Sequence, residues 1–334
     1  MLGRRKGYLI MIKTVTNKKD YIKKCDVEDF DISKHYYDKK VQLFGKDIYL
    51  NSDPWLWHLH LKCTDKCNGK CEFCVEQGCP INEDANDFLD STDRMLYEMN
   101  NAGCLNSVSV TGGEPLLFSK LDALVDILKS YPIQFLTMNT NGTYLKEHLD
   151  LIDGTFDYVD ISRHAIDDND NEQIFKTKVP SKEELQYIKN QLQKTKMRIQ
   201  CVMYKVKSIE EMNKFIKAFN FADDLSFRRL MKLSDEYGVN YKIGEDDYDK
   251  VLNYAYNNFD FIQQTIQDYY VYEIWKAFGV DVTYSYSNMS MLRDEEKKES
   301  EDVFREFIVH PDGLVSGSWK KDNKILRNVK KKIH

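Results

Sequence analysis

Residues 57–74 read Trp-His-Leu-His-Leu-Lys-Cys-Thr-Asp-Lys-Cys-Asn-Gly-Lys-Cys-Glu-Phe-Cys. Trp57 to Leu61 alternates as a strand does, with His58, His60 and Lys62 on one face, and a cysteine-rich loop follows it directly. A regular series runs on from there. Residues 87–100 carry Phe88, Leu89, Met95, Leu96 and Met99 at helical spacing, and Ser107-Val-Ser-Val110 is a second strand ended by Thr111-Gly-Gly-Glu-Pro115. A helix over 121–128 leads to a strand over 133–138, which ends in Asn139-Thr-Asn-Gly142. Helices over 144–152, 181–194 and 209–218 alternate with strands over 158–162, 197–204 and 225–230. Six strands with intervening helices predict right-handed βαβ units and a parallel sheet. The Gly and Asn clusters fall at strand C-termini, where such folds build their sites.

The flanks read differently. Residues 1–50 are mixed and rich in Lys and Asp, and predict a short extension or a hairpin. A Tyr-rich helical pattern is expected over 245–278, and residues 304–319 predict a β-hairpin turning at Pro311-Asp-Gly313.

The 334 residues are 42% hydrophobic and 31% charged, the composition of a globular chain with a large core. No stretch approaches the roughly 18 apolar residues of a membrane span. The basic start Arg4-Arg-Lys6 is followed by an apolar run too short for a signal peptide, so a cytoplasmic location is expected. Net charge is −6, with basic flanks around an acidic body: residues 51–318 carry 29 Lys and Arg against 46 Asp and Glu. Such a body disfavours nucleic acid as the main ligand. The tail Lys330-Lys-Lys332 reads as a solvated terminus.

Five of the eight cysteines lie between Cys63 and Cys79. A reducing compartment would open disulfides in so tight a cluster, so metal is the economical explanation. Cys67, Cys71 and Cys74, spaced C-x-x-x-C-x-x-C, can each reach a different iron of a four-iron four-sulfur (4Fe-4S) cluster and leave one iron open. The competing reading is structural zinc, with Cys63 or Cys79 as fourth ligand. Spacing alone does not separate the two.

The ordered combination of this loop, with Phe73 before its last cysteine, then Thr111-Gly-Gly-Glu-Pro115, then Asn139-Thr-Asn-Gly142, resembles the radical S-adenosylmethionine (radical SAM) superfamily over about Trp55 to Leu233. The resemblance implies an α/β fold: a partial (β/α)6 TIM-type barrel over 51–233, with an N-terminal extension over 1–50 and a C-terminal helix plus β-hairpin region over 234–334 capping the mouth. It implies a 4Fe-4S cluster on Cys67, Cys71 and Cys74. It implies S-adenosylmethionine (SAM) held by Gly112, Gly113, Glu114, Asn141 and Ser162, with Phe73 near the adenine. The implied chemistry is reductive cleavage of SAM to a 5'-deoxyadenosyl radical that takes hydrogen from substrate. A one-electron donor such as flavodoxin or ferredoxin and an oxygen-sensitive enzyme follow.

Within the superfamily the chain is similar to the branch of the molybdenum-cofactor GTP cyclase and the peptide maturases. It lacks cysteines after Cys201, so no auxiliary cluster is expected. A ribosomally made peptide is the expected substrate. The alternatives are a nucleotide or other small molecule, as in a cyclase or a viperin-like enzyme, and, from another class, a non-catalytic zinc or iron-sulfur sensor.

Arg163, His164, Cys201 and Arg228 are the candidate catalytic or substrate-contacting residues. Ser162-Arg-His164 lies just past a strand end, where Arg163 suits a carboxylate or phosphate. Cys201 could donate hydrogen to a substrate radical if it faces the lumen, and only one of the alternating pair Arg228 and Arg229 can do so. Cys63 and Cys79 read as spare buried thiols, and Cys104 as a core residue.

Overall fold

Period-two alternation sends apolar side chains to one face of each parallel strand and polar ones to the other, and this sets the architecture of the computed structural model. It describes residues 12–23, 38–51, 57–74, 81–203, 206, 208–229, 245–267, 270–287, 302–319 and 324–328. In chain order the strands are β1 (Ile12–Val15), β2 (Lys39–Leu43), β3 (Lys46–Leu50), β4 (His58–Lys62), β5 (Ser107–Thr111), β6 (Phe135–Thr140), β7 (Tyr158–Ser162) and β8 (Lys196–Val202). They continue as β9 (Asp224–Arg228), β10 (Asp260–Gln267), β11 (Tyr270–Ala277), β12 (Val280–Ser287), β13 (Val303–Phe304), β14 (Glu306–Val309), β15 (Val315–Ser316) and β16 (Ile325–Arg327).

Among the described residues thirteen strands form one sheet, in the order β1-β10-β11-β12-β9-β8-β7-β6-β5-β4-β14-β15-β16. β4 to β9 are the six strands expected from the sequence, all parallel, and the fold is the expected α/β partial TIM-type barrel. The C-terminal region does more than cap it. β12 adds in parallel beside β9, and β14 adds in parallel beside β4 at the other end. β11, β10 and β1 then continue antiparallel from β12, while β15 and β16 do so from β14.

Leu59, Leu61, Val108, Val110, Val159, Ile161, Met197, Ile199, Leu225 and Phe227 are buried on the helix-facing side. The helix Ile209–Phe219 shows how that layer forms. It begins at a capping box, with Ser208 Oγ accepting from Glu211 N and Glu211 returning to Ser208 N, and buries Met212, Phe215, Ile216 and Phe219. Each such side chain contributes about 1.5–3 kcal/mol. Residues of the opposite parity, among them His58, His60, Ser109, Asp160, Arg198, Gln200 and Ser226, line a polar lumen.

Three expectations change. The helical pattern over 245–278 holds only for Glu245–Asn258, because Asp260–Ala277 forms β10 and β11. Along β11, Val271, Glu273, Trp275 and Ala277 are buried while Tyr270 and Lys276 are exposed, a strand period in β-branched and aromatic residues. Phe278 and Gly279, with φ of 49° and 88°, make the two-residue turn to β12. The segment 144–152 is a 3-10 turn (Lys146–His148) followed by the short helix Leu149–Ile152. A helix over Asp168–Phe175, with Asp167 as N-cap, has too few apolar residues to show a period.

Of the flanks, residues 39–50 form the hairpin β2–β3, and β1 lies on the far edge of the large sheet. The C-terminal hairpin turns at Pro311–Gly313 as expected, and Ser91 Oγ donates to Gly313 O at 2.6 Å. Cys25, Trp55, Cys79, Tyr204, Leu230 to Leu233, Arg4 to Lys6 and Lys330 to Lys332 lie outside the described residues. No helix among the described residues is long and apolar enough to cross a membrane.

Candidate functional site

The cysteine loop leaves β4 and is held by backbone pairing with the turn after β5. Cys63 N donates to Thr111 O at 3.0 Å, Gly113 N to Thr64 O at 2.8 Å and Glu114 N to Lys66 O at 2.7 Å. This contact is what the two glycines permit. A Cβ at Gly112 would stand 2.6 Å from Thr64 O, and one at Gly113 2.2 Å from Lys66 O. Glu83 secures the same corner, accepting from Thr64 Oγ1 at 2.7 Å and pairing with Lys66.

Glu114 is 1% exposed and turned inward. Its carboxylate accepts from Leu116 N at 3.1 Å, Thr140 Oγ1 at 2.6 Å and Asn141 N at 2.8 Å, and burial still raises its pKa to about 7. It thereby ties the turn after β5 to the end of β6. Asn141 carries the tie onward. Its Nδ2 donates to Asn68 Oδ1 at 2.8 Å, its Oδ1 accepts from Thr143 N at 2.9 Å, and Asn68 Nδ2 donates to Thr143 Oγ1 at 3.1 Å. Asn68 and Thr143 were not singled out from the sequence, although Asn68 sits between Cys67 and Cys71 and Thr143 follows the Asn-Thr-Asn-Gly turn.

The loop's far side rests on the unanticipated helix Asp168–Phe175, where Lys70 N donates to Phe175 O at 2.8 Å. The Phe73 ring meets His164 edge-on at 5.0 Å, and His164 stacks on Phe175 at 5.1 Å. His164 is buried, and burial, aided by the neighbouring Arg163 charge, lowers its pKa to about 3. Its Nδ1 accepts from Val202 N at 3.1 Å, which leaves the ring proton on Nε2.

Arg163 does not present its guanidinium to a ligand. It is 1% exposed, donates to Ala165 O, Pro180 O, Ile166 O and Asp168 Oδ1 at 2.6–3.1 Å, and lies over the Phe219 ring. It braces the chain after β7. Cys201 has the parity of Met197 and Ile199 and is fully buried on the helix-facing side, so it does not face the lumen. Arg228 has the opposite parity, shared with Asp224 and Ser226, and is exposed at the C-terminal end of β9. Ser162 is half-buried at the corresponding end of β7.

The lumen floor is a hydrogen-bonded chain. His58 contacts Ser107 Oγ at 2.8 Å and Ser109 Oγ at 3.0 Å, and His60 contacts Ser109 Oγ at 2.9 Å and Glu306 at 3.1 Å. Burial, then His60, pushes the pKa of His58 well below 6.5. Lys62, on the same face, pairs with Asp65 at 2.8 Å. Higher in the lumen Arg198 contacts Asp160 at 3.3 Å and Asp224 at 3.7 Å.

The donor set fits an iron-sulfur cluster. Cys67 is exposed, Cys71 and Cys74 are half-buried, and Cys67 Sγ accepts from Gly69 N at 3.3 Å. Burial, then Cys74 and Cys67, pushes the Cys71 thiol up to about 12, and three sulfur donors in one loop are the soft ligand type that iron-sulfur clusters take. Among the described residues no three His, Cys, Asp or Glu side chains gather around one ion position. Cys63 is no candidate ligand: it is 1% exposed and its Sγ donates to Thr111 O at 3.3 Å.

Residues 61–219 match the family model described as the Radical SAM superfamily. A probable GTP 3',8-cyclase of Halobacterium salinarum is 34% identical over 134 residues, covering 38% of this chain and 34% of that one. A putative glycyl-radical enzyme activating enzyme of Methanocaldococcus jannaschii is 23% identical over 203 residues, covering 58% and 76%. The chain thus spans about a third of the length of the cyclase it matches. Among solved structures, SuiB of Streptococcus suis bound to S-adenosylmethionine has a TM-score of 0.56 at 15% identity, covering 78% of this chain and 60% of that one. A histidine-tagged anSMEcpe with bound AdoMet has a TM-score of 0.51 at 17% identity, covering 82% and 78%.

Proposed function

We propose that this protein is a radical SAM enzyme acting on a peptide, because residues 61–219 match the Radical SAM superfamily model, a family whose cofactors are a 4Fe-4S cluster and SAM. The observation that carries the reading is the three-thiol loop locked by backbone hydrogen bonds to Gly113 and Glu114. When bound, the cluster and SAM would supply one-electron reductive cleavage of SAM and, through it, hydrogen abstraction from the substrate.

The chain's own residues hold and shield. Cys67, Cys71 and Cys74 bind the cluster. Gly112 and Gly113 bring the turn after β5 against the loop, and Glu114 fixes that turn to Asn141. Ser162 and Asn141, at the C-terminal ends of β7 and β6, would hold SAM, and Phe73, packed on His164, shields the loop from water. The polar lumen receives substrate, and a flavodoxin- or ferredoxin-type protein donates the electron at the exposed Cys67 side in the reducing cytoplasm. A solved structure of SuiB bound to precursor peptide, with a TM-score of 0.54, shares this fold, which supports the peptide reading. A nucleotide is the second reading, favoured by the 34% identity to the cyclase.

The test is anaerobic reconstitution with iron and sulfide, then dithionite and SAM. The expected result is 5'-deoxyadenosine from the native chain and none from Cys71→Ala. One zinc per chain without iron or sulfide contradicts the enzyme and supports a sensor.

A further inference from the structure

Three residues stand in one row at the C-terminal edge of the sheet, outside the span that matches the radical SAM family. Arg228 of β9 is opposite Ser285 of β12, and Ser285 is opposite Tyr272 of β11. Strands lie about 4.8 Å apart, so Arg228 and Tyr272 are separated by about 10 Å, within reach of a ligand gripped by both. Phe227, of the other parity, packs against Phe215 and Tyr284 on the helix side, so Arg228 points to the lumen.

Arg228 is exposed, and its guanidinium makes no ion pair or hydrogen bond among the described residues. The acids nearest it are otherwise engaged, because Asp160 and Asp224 are bridged by Arg198. Two acids and two guanidinia leave this corner near neutral, with Arg228 as the guanidinium that no ion pair engages among the described residues. The Tyr272 hydroxyl has no hydrogen-bond partner among the described residues either, and its ring stacks on Tyr270 at 6.1 Å. Both Tyr272 and Asp160 feel the Arg228 charge, in keeping with a guanidinium that lies over the lumen.

We propose that Arg228 and the Tyr272 hydroxyl anchor a carboxylate of the peptide substrate, with the Tyr270–Tyr272 stack as the surface beside it. This deepens the peptide reading and rests on it. A single guanidinium and a phenol match a monoanion, and a fork of N–H donors matches a carboxylate bidentately. A triphosphate would meet one free cation among the acids Asp160, Asp224 and Asp281. The wall belongs to β9, β12 and β11, whereas the cysteine loop follows β4, so the anchor sits on a different side of the lumen from the cluster.

The experiment measures binding to the reconstituted protein with SAM present. The probes are N-acetylated, C-amidated alanine pentapeptides with a central glutamate or a central glutamine, and GTP as a third ligand. The glutamate peptide is expected to bind at least about tenfold more tightly than its glutamine counterpart, the value of one charge-assisted contact. In Arg228→Gln that preference falls to about one, in Arg228→Lys it survives in part, and in Tyr272→Phe it is reduced. An unchanged preference in Arg228→Gln, no preference in the native chain, or Arg228-dependent binding of GTP in place of the peptide overturns the proposal. Peptide preference is read without SAM cleavage, so a protein that binds as expected but yields no 5'-deoxyadenosine sinks the enzyme reading and not the anchor.

Discussion

Asn141 Nδ2 donates to Asn68 Oδ1 at 2.8 Å, joining the turn after β6 to the middle of the cysteine loop. The loop is therefore held from both sides, by the glycine turn after β5 and by this amide pair. Replacing Asn68 with Ala removes the bond to Asn141 and the one to Thr143, each worth about 0.5–1.5 kcal/mol. Less iron per chain is expected after reconstitution, with a smaller loss of thermal stability. Iron content equal to that of the native chain would show that the amide pair does not order the loop.

Gly113→Ala places a methyl group 2.2 Å from Lys66 O, a backbone atom that cannot move without breaking the Glu114 N to Lys66 O bond. A destabilisation of about 1–3 kcal/mol, typical of overpacking, is expected in urea denaturation. Gly45→Ala serves as the comparison, since nothing lies within 4 Å of its Cβ position. Its φ of +74° adds only local backbone strain, at a site remote from the loop. Iron incorporation should fall in the first variant and hold in the second.

His164 is neutral when folded because burial lowers its pKa from 6.5 to about 3. The unfolded chain binds a proton below about pH 6.5 and the folded one does not, so stability falls with acidity from pH 6.5 towards 3. The slope reaches about 1.4 kcal/mol per pH unit. His164→Asn should flatten that part of the curve between pH 6.5 and 5 in denaturant titrations. An identical pH dependence in the two proteins would mean that His164 is protonated in the folded state.

Arg163→Lys is expected to destabilise the fold by about 2–4 kcal/mol, because an ammonium cannot reach the carbonyls of Ala165, Ile166 and Pro180 together with Asp168, leaving buried acceptors unmet. Calorimetric unfolding checks this. Cys201→Ala, by contrast, should retain 5'-deoxyadenosine formation within about twofold, since its thiol faces the helices.

The six-strand core was legible because β4 to β9 alternate with helical segments and because β5 and β6 end in Gly and Asn turns. The three-cysteine loop was legible as a candidate metal site from its spacing, and as a candidate iron-sulfur site only from its combination with Thr111-Gly-Gly-Glu-Pro115 and Asn139-Thr-Asn-Gly142. The Cys201 orientation was not, since strand register decides the face and both faces of β8 carry buried residues. β10 and β11 were hidden by Tyr-rich sequence that satisfies helix and strand periods alike. The Arg163 brace depends on a helix, Asp168–Phe175, whose three buried residues include a polar Asn171. Such a helix leaves no apolar stripe to read.

The central claim, that Cys67, Cys71 and Cys74 hold a 4Fe-4S cluster to which SAM binds, is met most directly by electron paramagnetic resonance of the anaerobically reconstituted, dithionite-reduced protein with and without SAM. The account expects the signal of a reduced four-iron cluster that shifts when SAM is added and is absent in Cys71→Ala. A protein that takes up no iron, or a cluster signal that SAM leaves unchanged, would contradict it.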